Sequence, residues 1–387
     1  MRKTYKKSLF SSILIICVIS FSLGCILYGY SKNKYSNDIS SDHGTENDNL
    51  YGNKVTFDES ADTSSTDLLL TFIGDCTLGS DPNFSYNTFH QKYEDVEKDP
   101  NYFFSNVSHV FEKDDLTIAN FEGTLTTSNL RAFKKFTFKG PPEYSSILTA
   151  GSIEAVNLAN NHSLDFLNKG FIDTKNTLDD EGIKHFGLGE VYKTDIKDYK
   201  LAFIGYKGWL DTISIETMKK EISSLKQEGF IVIANFHWGL EGRHVPIGDQ
   251  KLVAHSAIDS GADFVIGHHP HVVQSMEIYK DRLIAYSLGN FCFGGNSNPR
   301  DKRTFILQIK LAQNNDNNFS SYFKIIPAYI SSSDSINDFR PTIMESPEDR
   351  EGFFHFLGDI SPDMPFELSD DLINIFTETS SDETKGV

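Results

Sequence analysis

The chain has 387 residues, 39% of them hydrophobic and 23% charged, and carries a formal net charge of −18 from 54 acidic and 36 basic side chains. That length buries a sizeable core as one large domain or two small ones. The acidic balance excludes non-specific binding to nucleic acid, whose phosphates need Lys and Arg. The four cysteines, Cys17, Cys25, Cys76 and Cys292, form neither a disulfide framework nor a zinc-type spacing, and Cys76 and Cys292 read as ordinary buried thiols.

Arg2, Lys3, Lys6 and Lys7 make residues 1–8 a basic cytoplasmic stub, and Leu9–Tyr30 follows with 22 residues that carry no charge. About 20 apolar residues cross a bilayer, and upstream basic residues hold that end inside. The expectation is a single-pass signal anchor at 9–30 in the cell membrane, with the C-terminal domain extracellular. A cleaved signal peptide is the rival reading, but its apolar stretch would be shorter. Ser22-Leu23-Gly24-Cys25 departs from a lipoprotein cleavage box, with Leu where a small residue is expected. Residues 31–67 are polar and poor in apolar side chains, and read as a disordered tether.

From residue 68 to 331, apolar runs alternate with helix-like stretches. Candidate helices run from Pro141 to Ala150, Asn168 to Glu181, Thr212 to Gln227 and Ile247 to Ser260. The last three stop at Gly182, Gly229 and Gly261, as helices often do. Such alternation predicts an α/β fold of parallel βαβ units. Thr304–Leu311 and Tyr322–Tyr329 have no helix between them and read as an antiparallel pair. Residues 332–387 form an acidic, Ser-rich C-terminal extension, in which Phe353–Leu357 and Leu368–Phe376 are either short docked elements or part of a loose tail.

Six apolar runs end abruptly in polar residues: at Gly74-Asp75, Asn120-Phe121-Glu122, Asn160-Asn161-His162, His237, Gly267-His268-His269-Pro270-His271 and Gly289-Asn290. In α/β sheets ligands bind beyond the carboxyl ends of the strands. If the runs share one sheet, their tips meet at one rim. Asp75 and Glu122 are hard oxygen donors, Asn161 is a neutral amide donor, and His237, His269 and His271 are imidazole donors. That mixture suits Mn²⁺, Fe or Zn²⁺ better than Mg²⁺ or Ca²⁺. One or two divalent ions are expected, with Glu122 as the candidate bridge. His162 can stay off the metal and protonate a leaving oxygen, and Asp165 can hold its other ring nitrogen. Each tip alone has a plainer reading, as a turn, a cap or a satisfied surface histidine; three imidazoles within four positions make a poor purely structural turn.

These segments, in this order, resemble the CapA (PgsA) family of poly-γ-glutamate capsule biosynthesis proteins. Asn157-Leu158-Ala159-Asn160-Asn161-His162-Ser163-Leu164-Asp165, His237-Trp238-Gly239, Gly267-His268-His269-Pro270-His271-Val272 and Ser287-Leu288-Gly289-Asn290-Phe291 carry the likeness, with Gly140-Pro141-Pro142-Glu143-Tyr144 beside them. It covers about Leu68 to Ser331. The resemblance implies a two-sheet α/β sandwich of the metallophosphoesterase (calcineurin-like) type with a metal site at the strand ends. It implies a membrane-anchored, outward-facing protein that works with poly-γ-glutamate synthase and export subunits. By that likeness Asp75, Glu122, Asn161, His237, His269 and His271 are metal ligands, with His268 the alternative member of the closing pair. His162 and Asp165 are catalytic, and Asn120, Glu241, His268 and Asn290 contact substrate.

The sequence departs from the pattern at Thr77, where phosphoesterases usually carry a His ligand, at Ser80, where Arg is common, and at Gly242, where Tyr often follows the acid. Three readings stay open: a capsule-polymer subunit, a free-standing cell-surface hydrolase acting on a phosphoester or cell-wall amide, and a non-catalytic polymer-binding module. Arg131, Lys134, Lys135 and Lys139 form a candidate path for an anionic polymer, or a solvated loop.

Overall fold

The computed structural model describes residues 66–208, 214–313 and 319–375. The expected anchor at 9–30, and all of the tether before residue 66, lie outside them. No helix among the described residues is long and apolar enough to cross a membrane.

Strand β1 (Leu68–Thr77) opens the first sheet and pairs in parallel with β2 (Leu116–Phe121). A short parallel pair, β3 (Thr124–Leu125) and β4 (Lys139–Gly140), brackets the loop that follows. β5 (Ala155–Asn157) and β6 (Lys184–Phe186) extend the first sheet in parallel. The chain then builds a second sheet from β7 (Tyr192–Ile196), β8 (Tyr199–Lys207), β9 (Ile231–His237), β10 (Phe264–His268), β11 (Met276–Tyr279) and β12 (Arg282–Ala285), in the spatial order β11-β12-β10-β9-β8-β7. It returns to the first sheet with β13 (Asn290–Phe293), β14 (Arg303–Gln313), β15 (Phe319–Tyr329), β16 (Thr342–Ile343) and β17 (Ile373–Asn374). β14 and β15 pair antiparallel over their whole length, and β14 lies against β1. They widen the predicted 304–311 and 322–329 pair by a few residues.

Strand alternation assigns every core side chain to a layer. Leu68, Leu70 and Phe72 of β1 and Leu116 and Ile118 of β2 pack between the sheets with Leu201, Phe203, Ile231, Ile233, Phe264 and Ile266. The opposite face of the first sheet, with Ile73, Ala119 and Val156, packs against Phe103, Phe111, Leu148 and Leu178. The opposite face of the second sheet, with Val232, Ala234 and Val265, packs against the helices Ile215–Gln227 and Gly248–Asp259. The architecture is therefore an α/β sandwich, with helices outside two facing sheets.

The helices follow from sequence. In Ile215–Gln227 the buried residues are Met218, Ile222 and Leu225, spaced to share one face. The Ser214 hydroxyl caps it by accepting from the Thr217 amide. Burying each such side chain contributes roughly 1.5–3 kcal/mol.

Beyond residue 331 the chain is docked through Ile375. Helix Pro347–Ile360 starts at Ser346, whose side chain accepts from Asp349 N. It sends Phe353 and Leu357 into the core between the sheets, where Leu368 and Ile375 join them. Cys76 and Cys292 are both buried and free.

Two close approaches depend on glycine. A Cβ on Gly74 would lie 2.1 Å from the Gly289 carbonyl oxygen, and one on Gly267 would lie 2.0 Å from the Tyr286 oxygen. Gly74 lets the 289–290 segment close onto β1, and Asp75 N donates to Gly289 O at 2.9 Å. Gly74→Ala should therefore destabilise the fold by about 1–3 kcal/mol, as overpacking does. Gly358, exposed in a helix with open space around it, is the control, where Ala should stabilise by up to about 1 kcal/mol. Denaturant melts of the two variants check this; equal stability of both would refute the packing argument.

Candidate functional site

The polar tips do converge, but not along one sheet. Asp75, Glu122 and the 160–165 loop belong to the first sheet, and His237 and His268 end strands of the second. The carboxyl ends of both sheets face each other across a seam, and the site lies in it. His271 Nδ1 is 3.2 Å from Asp75 Oδ2, and His268 Nδ1 is 3.6 Å from Asp75 Oδ1. His237 Nε2 is 3.5 Å from Glu122 Oε1 and 2.7 Å from Asn161 Oδ1. His271 Nε2 is 3.9 Å from the same Glu122 oxygen.

The turn after β10 aims its rings by an unusual backbone. His269 (φ 98°) and His271 (φ 57°) both occupy positive φ. Such conformations cost about 1–3 kcal/mol each in non-glycine residues and persist where surroundings enforce them. Here the Asp75 carboxylate accepts from His269 N at 3.3 Å, and the His271 ring meets Asn290 Oδ1 at 2.9 Å. The parallel pairing of Asp75 with Asn290 brings that amide into place.

Glu122 is the anomaly on which the site turns. Its carboxylate is fully buried, and neither oxygen has a hydrogen-bond partner among the described residues. A buried charge left unpaired is costly, and buried charges in proteins are paired or bind metals. Burial pushes the Glu122 carboxyl up to about 8; His271 opposes this and Asp75 and Asp165 reinforce it. Burial also works against a charged His271, yet Glu122 and Asp75 raise it to about 10. Burial drives His237 well below the usual imidazole value, and holds His268 at about 4 and His269 at about 3. Asp75 is pushed up by burial but pulled down further by His271, so the net direction is down. His237, His268 and His269 are thus held as neutral imidazoles beside the two carboxylates, the form in which a His ligates a metal, while His271 is the one ring the carboxylates push upward. Glu122, His269 and His271 each offer one ligand atom, all within 4.8 Å of one another. These residues fit a divalent cation.

His162 sits at one side of this group. Its Nδ1 donates to Asp165 Oδ2 at 2.6 Å, and its Nε2 lies 3.8 Å from Glu122 Oε1. The ring stacks on Phe138 with centroids 4.2 Å apart. Asp165 is itself held by Phe138 N at 2.5 Å and Lys134 Nζ at 2.7 Å. Burial lowers the pKa of His162, while Asp165 pulls it back. The ring is thus fixed with Nε2 toward Glu122.

Of the residues read as substrate contacts, Glu241 is exposed at the rim, while Asn120, His268 and Asn290 are almost fully enclosed. Asn120 donates to Asp75 Oδ1 at 2.7 Å, faces His237 Nδ1 at 3.2 Å and accepts from Asn157 Nδ2 at 3.0 Å. It stands behind Asp75 and His237, because β2 places it inside the sheet. Asn157 was not singled out in sequence; its spacing, three residues before Asn160 in the same run, was the available signal. Thr77, where the likeness expects histidine, is buried, and its hydroxyl has no hydrogen-bond partner among the described residues. Of the basic path, Lys134 is spent on Asp165 and on the Asn161 carbonyl, and Lys139 on the Ser128 carbonyl.

Residues 69–295 match the family described as "Bacterial capsule synthesis protein PGA_cap". "Capsule biosynthesis protein CapA" of Bacillus anthracis is 28% identical over 276 residues, 64% of this chain and 64% of that one. "PGA biosynthesis protein CapA" of Bacillus subtilis (strain 168) is 28% identical over 282 residues, 66% of this chain and 71% of that one. The match thus spans about two thirds of each relative's length. The matched segment runs from β1 through β13 and contains every residue of the seam described above, and on that basis the chain belongs to the PGA_cap family of bacterial capsule synthesis proteins.

Proposed function

We propose that this protein takes part in poly-γ-glutamate capsule synthesis or export, as a metal-dependent subunit anchored in the cell membrane with its sandwich outside. One observation carries the metal part: the buried Glu122 carboxylate, unpartnered, faces three imidazoles that come from the opposite sheet. Family membership and the relatives named for capsule and PGA biosynthesis support the polymer. The uncharged stretch 9–30 behind a basic stub supports the anchor. Synthase and export subunits are the partners this reading implies. The paired sheets and strand-end site are of the metallophosphoesterase kind.

In this reading Asp75, Glu122, Asn161, His237, His269 and His271 hold one or two ions of the Mn, Fe or Zn class, and Thr77 makes one position poorer in ligands. Bound there, such a cation supplies Lewis-acid chemistry toward a phosphoryl or carbonyl oxygen. The chain's own residues do the rest. Asn120 orients Asp75 and His237 from behind. Asp165 fixes the His162 ring, so that Nε2 can pass a proton to a leaving atom of the substrate. Phe138 covers one face of that ring and keeps water from it. The intact His162–Asp165 pair favours a catalytic role, trimming or attaching polymer, over a purely binding one. It is also the observation behind the second reading, a free-standing surface hydrolase.

Three variants separate the roles. Asp75→Ala and His237→Ala should lose metal directly. Asn120→Ala should weaken metal binding by about 10–100-fold, as loss of a ligand-orienting partner does. His162→Ala should keep the metal and lose turnover of a generic phosphodiester with Mn²⁺ by about 10²–10⁴-fold. Metal content per chain is the first readout, and a His162→Ala protein stripped of metal would overturn the role given to that residue. For the polymer, deleting the gene should abolish surface poly-γ-glutamate, and re-expression of the Asp75→Ala protein should not restore it. Unchanged polymer in the deletion strain would end the capsule reading.

A further inference from the structure

β8 brings one more charged side chain to the seam. Leu201 and Phe203 of this strand belong to the core between the sheets, and strand alternation puts Gly205 and Lys207 on the same face. The parallel register agrees. Leu201 pairs with Ile231, Phe203 with Ile233, Gly205 with Asn235 and Lys207 with His237. Gly208 N donates to the His237 carbonyl at 3.0 Å, so the register holds to the end of the strand. Opposite lies β5: a Cβ on Gly205 would meet the Asn157 side-chain oxygen at 2.2 Å. Two residues further along β8, Lys207 therefore confronts the chain leaving β5, which carries Asn161, His162 and Asp165.

Lys207 is half-buried. Its ammonium has no hydrogen-bond or ion-pair partner among the described residues, whereas Lys134 is held by Asp165. Burial and the charge of Lys134 lower its pKa, and Asp165 opposes them, so both groups lie within electrostatic reach. A half-buried cation with no partner among the described residues, near a second cation, is a costly arrangement that an anion would relieve.

We propose that Lys207 receives an oxyanion of the substrate, a carboxylate or a phosphate, on the His162 side of the pocket. This rests on the seam being the working site, and it adds which end of the substrate is anionic. An anionic group on Lys207 would bring the adjacent substrate atoms to the side of the seam that carries His162 and Asp165. A γ-linked glutamate chain offers one free carboxylate per residue, and a phosphoester offers its phosphoryl oxygens.

The test uses the full-length protein in detergent micelles with Mn²⁺, as wild type, Lys207→Gln and Lys207→Arg. Oligo-γ-glutamate and inorganic phosphate are titrated by calorimetry, with bound metal measured separately. Lys207→Gln should weaken binding of one or both probes by about tenfold or more, the loss expected for a hydrogen bond to a charged group. Lys207→Arg should retain most of it. Weakening for the oligomer alone identifies a carboxylate, and weakening for phosphate alone a phosphoryl group. Equal binding by wild type and Lys207→Gln, or no binding of either probe by wild type, would overturn the proposal. Lys207-dependent binding in a protein that holds no metal would fault the metal reading and leave this one standing.

Discussion

Two carboxylates and a set of imidazoles are forced together in the largely buried seam between two sheets, and the rest of the site answers to that constraint. Asp75 and Glu122 come from neighbouring parallel strands of one sheet; His237, His268, His269 and His271 come from the other. Neither set is satisfied within its own sheet. The Glu122 carboxylate in particular finds no hydrogen bond among the described residues. His271 lies between Asp75 and Glu122, 3.2 Å from one carboxylate and 3.9 Å from the other.

The fold exists in a form that makes this juxtaposition stiff. Apolar side chains fill the space between the sheets below the seam, from Leu68 and Phe72 on one side to Ile233 and Ile266 on the other. Above them the filling turns to amides: Asn120 and Asn157 bond to each other, and Asn235 lies buried beneath His237 on the same face of its strand. The amide of Asn120 then reaches both Asp75 and His237. Polar groups at that depth fix geometry, since a displaced partner leaves another unsatisfied. The positive φ values at His269 and His271 are held by the same contacts. Gly74 and Gly267 allow backbones to approach closely enough for all of this.

Much of the site was legible in sequence because its parts sit at strand ends, where an apolar run breaking into Asp, Asn or His is a local signal. Asp75, Glu122, Asn161, His162 and the histidine turn were found that way, and the helices ended within a few residues of the expected glycines. Partition of the runs between two sheets was not readable from the residues. Asp75 and His269 are 194 positions apart, and nothing local says which strands pair. The same gap hid the true place of Asn120, whose tripeptide suggested a substrate contact but whose strand buries it. Lys207 carried a faint signal, the alternation Leu201, Phe203, Gly205, Lys207, which has meaning only once β8 is known to lie beside β9. The docking of the C-terminal segment was undecided for a similar reason. Phe353 and Leu357 are four residues apart, an ordinary helical spacing, and only the open edge of the core between the sheets explains why they are buried.

The claim that everything else serves is that residues from both sheets grip one cation site. A crystal of the full-length protein grown with Mn²⁺ and measured at the manganese absorption edge tests it most directly. The account predicts an anomalous peak in the seam, bonded to Glu122 and to at least one of His237, His269 and His271. A map with no peak there, or with manganese only on surface carboxylates away from the seam, would contradict it.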